Sequence, residues 1–288
     1  MSRWVSINGQ ILPGEQAFVS AWDHGLLYGD GVYETLRTYS GRAFLLDRHL
    51  ARLRRSAERI LLPWAALPVD PGEEIRRTLH AASDNEESLV RVVVTRGVGP
   101  LGYAPELCPK PGLLIYVLEF TPPSGEARER GVTVAMTTIR RNPKSALDPE
   151  IKSNNLLNTI LAGQQAHARG ADEGVLLNMA GEVAECTTSN VFIVRGGEVI
   201  TPPVSAGILE GLSREVALEL CRAHGVPAFE KTIQPEALFG ADEAFLTSTT
   251  REILPIVRVD DRRIGDGRPG PVTRRLMTLF HEKARAQG

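Results

Sequence analysis

The chain is short of several things, and each shortage closes off a class of function. It has three cysteines in 288 residues, Cys108, Cys186 and Cys221. An odd number at wide spacing, with no Cys-x-x-Cys pair, argues against a disulfide framework and against a zinc site. Neither sign of charge is in excess: 33 Lys and Arg stand against 35 Asp and Glu, a formal charge of -2. Nothing there neutralises a phosphate backbone, so nucleic acid is not an expected partner. No apolar run approaches membrane-spanning length. The first residues, Met1-Ser2-Arg3-Trp4-Val5-Ser6, hold no apolar signal core. No low-complexity segment or fixed-period repeat is present. A soluble, cytoplasmic protein is expected. What is there is an ordinary globular mixture, 42% hydrophobic and 24% charged, in a length that allows two modest domains.

Strand and helix signals alternate along the chain. Asn8-Gly9 between Trp4–Ile7 and Gln10–Leu12 predicts a tight hairpin. Glycines 25, 29 and 31 precede a strand from Val32 to Tyr39, and Phe44-Leu45-Leu46 pairs back after a turn at Ser40-Gly41. Asp47 is expected to cap a helix with Leu50, Leu53, Ala57, Ile60 and Leu61 on its apolar face. Arg52 lies beside that face, where most arginines are solvated. A short helix over 75–82 leads to the β-branched strand 89–95. Arg91 interrupts that strand, so it either pairs with a carboxylate of the protein or receives one from a ligand. A glycine-rich loop, Arg96 to Tyr103, precedes a second strong strand, Leu113 to Phe120.

Thr121-Pro122-Pro123-Ser124-Gly125-Glu126 has the composition of a linker. The expected organisation is an N-terminal α/β domain over 1–120, a linker over 121–130 and a C-terminal α/β domain over 131–288. The second half opens on a strand, Val132 to Met136. It then carries Glu150-Ile151-Lys152-Ser153-Asn154-Asn155, followed by a helix with Leu156, Leu157, Ile160 and Leu161 at helical spacing. Strands follow at 174–177, 191–194 and 199–201, then a helix with Val216, Ala217, Leu220 and Cys221 on one face. After it come a strand at 244–247, a hairpin at Asp260-Asp261 and a last helix from about Val272.

Four features carry chemistry. Lys152 at a helix opening is either a solvated charge or an amine nucleophile. Glu185, between an apolar strand and a hydroxyl-rich segment, needs a cation if buried, and a protonated pyridine nitrogen would serve. Gly211 before a helix leaves free N–H groups, and Ser213 adds a hydroxyl, which together suit a phosphate. Ser248-Thr249-Thr250 is a second hydroxyl cluster, and Arg52 could close the cradle. An amine, a carboxylate for a ring nitrogen and a phosphate cradle are what pyridoxal 5'-phosphate requires.

Six ordered motifs resemble the class IV, or fold type IV, pyridoxal-phosphate aminotransferases. They are Tyr28-Gly29-Asp30-Gly31-Val32-Tyr33-Glu34, His49-Leu50-Ala51-Arg52, Ile151-Lys152-Ser153-Asn154-Asn155-Leu156, Glu185 with Ser189-Asn190-Val191-Phe192, Leu209-Glu210-Gly211-Leu212-Ser213-Arg214 and Thr247-Ser248-Thr249-Thr250. The resemblance implies a two-domain α/β fold with the cofactor between the domains. It makes Lys152 the Schiff-base lysine and proton shuttle, and Glu185 the partner of the pyridine nitrogen. Arg52, Leu212, Ser213 and Thr249 would hold the phosphate, and Leu209 would pack under the ring. It also implies a homodimer whose sites borrow residues from the neighbour.

Within the family the residues point in more than one direction. Branched-chain L-amino acid aminotransferases usually differ at Tyr33, Thr35, Leu89 and Leu156 and through Ser248–Arg251. D-amino acid aminotransferases resemble the chain at Tyr33, Asn155-Leu156 and Thr247–Thr250, but carry an arginine and a histidine where this chain has Leu101 and Tyr103. Aminodeoxychorismate lyases resemble it at Thr35, at Arg96-Gly97 with Gly102-Tyr103, and at Glu185-Cys186. A transaminase of D-amino acids is the favoured expectation, with Tyr33, Thr35, Arg91, Tyr103, Thr250 and Arg251 as substrate-binding candidates. Either Arg91 or Arg251 would offer a fork to the substrate carboxylate. The alternatives are a branched-chain L-amino acid transaminase, an aminodeoxychorismate lyase and a coenzyme-binding protein without turnover.

Overall fold

Two α/β units make up the chain. The computed structural model describes residues 3–83 and 85–287, so Met1, Ser2 and Gly288, which the readings above include, lie outside the described residues. The first unit takes in the chain up to Thr121, the short segment Ile151–Asn155 and the last residues from Ala284. The second takes in Pro122–Glu150 and Leu156–Lys283.

The first unit holds a fully antiparallel six-stranded sheet. Its strands are β1 (Arg3–Ile7), β2 (Gln10–Pro13), β3 (Gly31–Tyr39), β4 (Arg42–Ala43), β5 (Ser88–Thr95) and β6 (Gly112–Glu119), in the order β2-β1-β6-β5-β3-β4. The Asn8-Gly9 turn joins β1 to β2 with Ile7 opposite Gln10, both turn residues having positive φ as a tight hairpin demands. Side chains alternate between the two faces of β3 and β5. Val32, Leu36, Val90, Val92 and Val94 point to one face. There they meet Leu53 and Ala57 of the helix Leu46–Arg59 and Ile75 of the helix Pro71–Ala81 in one apolar core. Tyr33, Thr35, Arg91 and Val93 take the other face, where all four are half-buried.

The second unit is built on a mixed nine-stranded sheet. Its strands are β7 (Val132–Arg140), β8 (Glu173–Leu177), β9 (Val183–Cys186), β10 (Asn190–Arg195), β11 (Glu198–Thr201), β12 (Ala228–Glu230), β13 (Glu243–Ser248), β14 (Glu252–Val259) and β15 (Arg262–Arg263). The order is β12-β11-β10-β13-β14-β7-β8-β9, with β15 on β14, and the β11–β12, β14–β7 and β7–β8 pairs are parallel. Val134, Val175, Val191, Ile193, Leu246 and Ile256 supply the core of this sheet.

Four local expectations change. The helix after β4 starts at Leu46, with Leu45 as its N-cap and Asp47 inside the first turn, because the chain enters through a left-handed Leu45 and not through an extended capping residue. Arg52 is not solvated but buried. In the helix Leu157–Ala168 the buried residues are Ala162 and Ala166, whereas Leu157, Ile160 and Leu161 are exposed. The small side chains, not the large ones, face β7 and β8, since alanine allows the close approach of the helix to the sheet. The stretch expected to be a linker contains a helix, Gly125–Arg130, capped by Ser124, that packs on β14.

Lys152 also changes company. The sequence reading put it in the C-terminal domain, but Ile151–Asn155 packs with the first unit. The reason is backbone pairing. Val32 and Ser153 form an antiparallel bridge, Tyr33 N donates to Lys152 O at 2.9 Å, and Asn154 N donates to Gly31 O at 2.9 Å.

Candidate functional site

In the first unit the site grows from the start of β3. The pairing just described fixes the main chain of Lys152, and its N–H donates to Ser56 Oγ at 3.2 Å. Its side chain then runs to Tyr33, with Nζ 4.4 Å from the ring centroid. Arg91 approaches the same ring, Cζ 4.0 Å from the centroid, because Tyr33 lies opposite Val93 and Thr35 lies opposite Arg91 across the ladder. Among the described residues no carboxylate pairs with the Arg91 guanidinium. Tyr116 of β6 sits directly opposite Arg91 on the same face. Burial raises the Tyr116 hydroxyl pKa, and the Arg91 charge opposes that shift.

The other face of β3 carries a buried charge cluster. Glu34 Oε1 accepts from Arg52 Nε at 2.6 Å, and Oε2 accepts from Arg52 Nη2 at 2.9 Å and meets His49 Nδ1 at 2.7 Å. Burial alone would raise the Glu34 carboxyl pKa, but the Arg52 and His49 charges and hydrogen bonds outweigh it and hold it well below the usual carboxylate range. Burial lowers the His49 pKa, with Glu34 opposing and the Arg52 and Lys152 charges adding to the shift. Tyr103 stands apart from both faces. It is 88% exposed and makes an edge contact with Tyr28 at 5.3 Å.

In the second unit the centre is Glu185 on β9, buried as expected. Its cation is Arg141, just past β7, whose Nε donates to Oε1 at 2.7 Å. Oε2 accepts from Leu209 N at 3.0 Å and from Asn190 Nδ2 at 3.3 Å. Asn190 also donates to Leu209 O at 3.0 Å, so it sets the position of the Leu209 segment. Gly211 follows as the N-cap of the helix Leu212–Ala223, with no side-chain cap and with Leu212 and Ser213 buried in the first turn. A glycine is needed there for space. A Cβ at Gly211 would stand 1.9 Å from Asn190 Oδ1. Among the described residues the Leu212 and Ser213 N–H groups have no acceptor, and Thr247 Oγ1 is buried without a partner. Bare amides at the positive end of a helix and nearby hydroxyls suit a phosphate group.

Thr249 and Thr250 occupy the turn after β13 and are half-buried. Arg251 ends that turn, but its guanidinium is engaged. Nη2 lies 2.6 Å from Glu173 Oε2 and donates to Thr188 Oγ1 at 2.6 Å.

The structure thus gathers Lys152, Tyr33, Thr35 and Arg91 on one face of the first sheet and Arg52 on the other. It gathers Glu185, Leu209, Leu212 and Ser213 in the second unit. The sequence reading missed Arg141, Glu34, His49, Ser56 and Glu173. Glu34 and His49 stood in recognised motifs, and the strand alternation of Val32, Glu34 and Leu36 is the signal that could have found Glu34 on the core face. For Arg141 there was no local signal.

The model of the family described as Amino-transferase class IV matches residues 31–259. A Methanocaldococcus jannaschii protein named "Putative branched-chain-amino-acid aminotransferase" is 39% identical over 96% of this chain and 95% of its own length. The D-alanine aminotransferase of Bacillus licheniformis is 33% identical over 96% of this chain and 95% of its own. The branched-chain amino acid aminotransferase of Thermobaculum terrenum, solved in its PLP-form, covers all of this chain and 95% of that one, with a TM-score of 0.86 and 29% identity. The chain belongs to the class IV aminotransferases.

Proposed function

We propose that this class IV aminotransferase moves the amino group of a D-amino acid to a 2-oxo acid such as 2-oxoglutarate or pyruvate. Its cofactor is pyridoxal 5'-phosphate. The observation that carries an amino acid as the substrate is Arg91. It is a half-buried guanidinium over the Tyr33 ring, which Lys152 Nζ also approaches, with no carboxylate of the described chain to pair with. A substrate carboxylate would complete it. Arg251, the other candidate fork, is already held by Glu173. Tyr33, where branched-chain enzymes usually have phenylalanine, supports the D-amino acid reading. The half-buried apolar Leu89 and Val93 flank Arg91 on its face and favour branched-chain L-amino acids as the second reading.

The coenzyme, when bound, supplies the carbonyl carbon that takes up the amino group and the ring that accepts the electron pair released at the substrate carbon. Lys152 Nζ binds it and moves the proton at the substrate α-carbon. Glu185, one oxygen of which Arg141 already holds, would pair with the ring nitrogen and keep it protonated. The Leu212 and Ser213 amides and the Ser213 and Thr249 hydroxyls would hold the phosphate, with Arg52 the cation that the family resemblance assigns to it, and Leu209 would pack against the ring. Thr35 and Thr250 line the substrate side.

A homodimer is part of the same reading. Trp22, Leu26, Val98, Leu101 and Tyr103 are exposed, and the Asp23–Val98 bridge and the Tyr28–Tyr103 contact join their two segments. Such a patch fits a second copy of the chain, with Tyr103 offered to the neighbour's substrate.

The purified protein should absorb in the visible, lose that band with an amino acid, and turn over D-alanine or D-glutamate faster than L-leucine or (R)-1-phenylethylamine. Lys152→Ala should abolish exchange. Faster turnover of L-leucine would overturn the D-amino acid assignment.

A further inference from the structure

We propose that Glu173 and Arg251 form an internal brace that positions the coenzyme-binding residues of the second unit, and that Arg251 is a positioning residue and not a substrate ligand. This inference rests on the coenzyme assignment above. Glu173 opens β8, and its carboxylate is 2% exposed. Oε1 accepts from Thr188 N at 2.5 Å and from Thr188 Oγ1 at 3.0 Å. The Ser189 hydroxyl reaches both oxygens at 3.0 Å. Oε2 meets Arg251 Nη2 at 2.6 Å, and the same Nη2 donates to Thr188 Oγ1 at 2.6 Å. The main-chain N–H of Arg251 donates to Ser248 Oγ at 3.3 Å.

One buried carboxylate therefore ties two turns together. The first, Thr187–Ser189, runs straight into Asn190, which holds Glu185 Oε2 and Leu209 O. The second, Ser248–Arg251, carries Thr249 and Thr250. Among the described residues Arg251 is the basic side chain that pairs with Glu173. Removing it leaves a desolvated carboxylate whose charge no other cation offsets. The two turns would then part or the carboxylate would take up a proton, and in both cases Asn190 and Thr249 lose their fixed placement. Hydroxyl and amide donors alone keep Glu173 hydrogen-bonded but do not cancel its charge. The aliphatic stem of a neutral residue would fill the space without that compensation.

The test compares Arg251→Met, Arg251→Lys and the double variant Glu173→Gln/Arg251→Met. Each holoprotein is dialysed, and its dissociation constant for pyridoxal 5'-phosphate and its KM for the amino acid are measured. The brace predicts that R251M weakens coenzyme binding at least about tenfold, a cost that an uncompensated buried charge readily reaches. R251K should lose less. The double variant, with no charge left to compensate, should recover most of the affinity. At saturating coenzyme any rise in the KM of the three should be smaller than the loss of coenzyme affinity, since Thr250 shifts with the turn but no direct contact of Arg251 with the substrate is removed. A raised KM with unchanged coenzyme affinity in R251M makes Arg251 a substrate ligand and overturns the brace. A double variant as weak as R251M, or unable to fold, also overturns it; where R251M itself is insoluble, the double variant is compared with the parent, and a loss of more than about tenfold overturns the brace. A parent protein that binds no coenzyme overturns the function itself. A parent that binds it only as tightly as R251M does overturns the brace alone.

Discussion

Replacing Glu34 by glutamine removes one charge and half the acceptor capacity from a side chain that is 1% exposed. Its carboxylate receives Arg52 Nε on one oxygen, and Arg52 Nη2 and His49 Nδ1 on the other. Glutamine has one oxygen to offer, and its amide nitrogen would face an Arg52 donor. Removing one partner of a buried ion pair costs about 3–5 kcal/mol, and the retained acceptor places this variant near the lower end, about 3 kcal/mol. At roughly 2–4 °C per kcal/mol for a chain of this size, the melting temperature at pH 7.5 should fall by roughly 6–12 °C. Circular dichroism melts check it. Because Glu34 titrates well below its ordinary 4.5 in the folded protein, its contribution is complete above that pH and is lost as pH falls below it. The gap between parent and variant should therefore narrow in acid. Glu34→Gln/Arg52→Met, which leaves neither charge, should recover much of the loss. A fall of less than about 2 °C at pH 7.5, or a gap that widens in acid, would refute the reasoning.

Arg91→Ala should raise the KM for the amino acid about 10- to 100-fold, the loss expected for a charge-assisted hydrogen bond, with a smaller change in kcat. Steady-state kinetics with D-alanine decide it, and an unchanged KM removes Arg91 from the substrate. Gly211→Ala should weaken coenzyme binding several-fold, because its Cβ would displace Asn190 from Glu185 and Leu209; equilibrium dialysis measures it. His49 is lowered from its ordinary 6.5, so between that pH and its folded value the unfolded chain binds the extra proton, and stability falls as pH drops below 6.5. Melting temperatures from pH 7.5 to 5 should show this slope, and His49→Gln should flatten it.

Periodicity and turn chemistry made much of the fold legible. The Asn8-Gly9 hairpin, the strands at 32–39, 89–95 and 113–120, and the buried face Val216, Ala217, Leu220 and Cys221 are local patterns, and the chain obeys them. What went astray was decided at longer range. Leu157, Ile160 and Leu161 recur at helical spacing, but they are exposed, and the small Ala162 and Ala166 are the residues of that helix that are buried. Lys152 looked like part of the domain that follows it. Its allegiance is set by main-chain bonds to Gly31 and Tyr33, about 120 residues earlier by count from Tyr33 to Lys152, and no periodicity reports a bond of that reach.

The buried charges show the same limit. Arg52, Glu185 and Arg251 are each given a ligand by the sequence, a phosphate, a ring nitrogen and a carboxylate in turn, though only for Glu185 does that rest on the premise that a buried charge requires a partner. In the structure each has one on the chain itself: Glu34 for Arg52, Arg141 for Glu185 and Glu173 for Arg251. The partners lie 18 and 44 residues away in the first two cases, and 78 away (251 less 173) in the third. Sequence can show that a charge will be buried, but the identity of its partner is a tertiary fact. Arg91 is the exception, half-buried over the Tyr33 ring that Lys152 also approaches, without a carboxylate of the described chain. The three compensated pairs have their orientation fixed by folding, so a ligand charge arriving beside them meets groups that need little rearrangement. Arg91 is where the chain leaves one charge for the substrate to satisfy, and binding of the substrate carboxylate should depend on it more than on the braced residues.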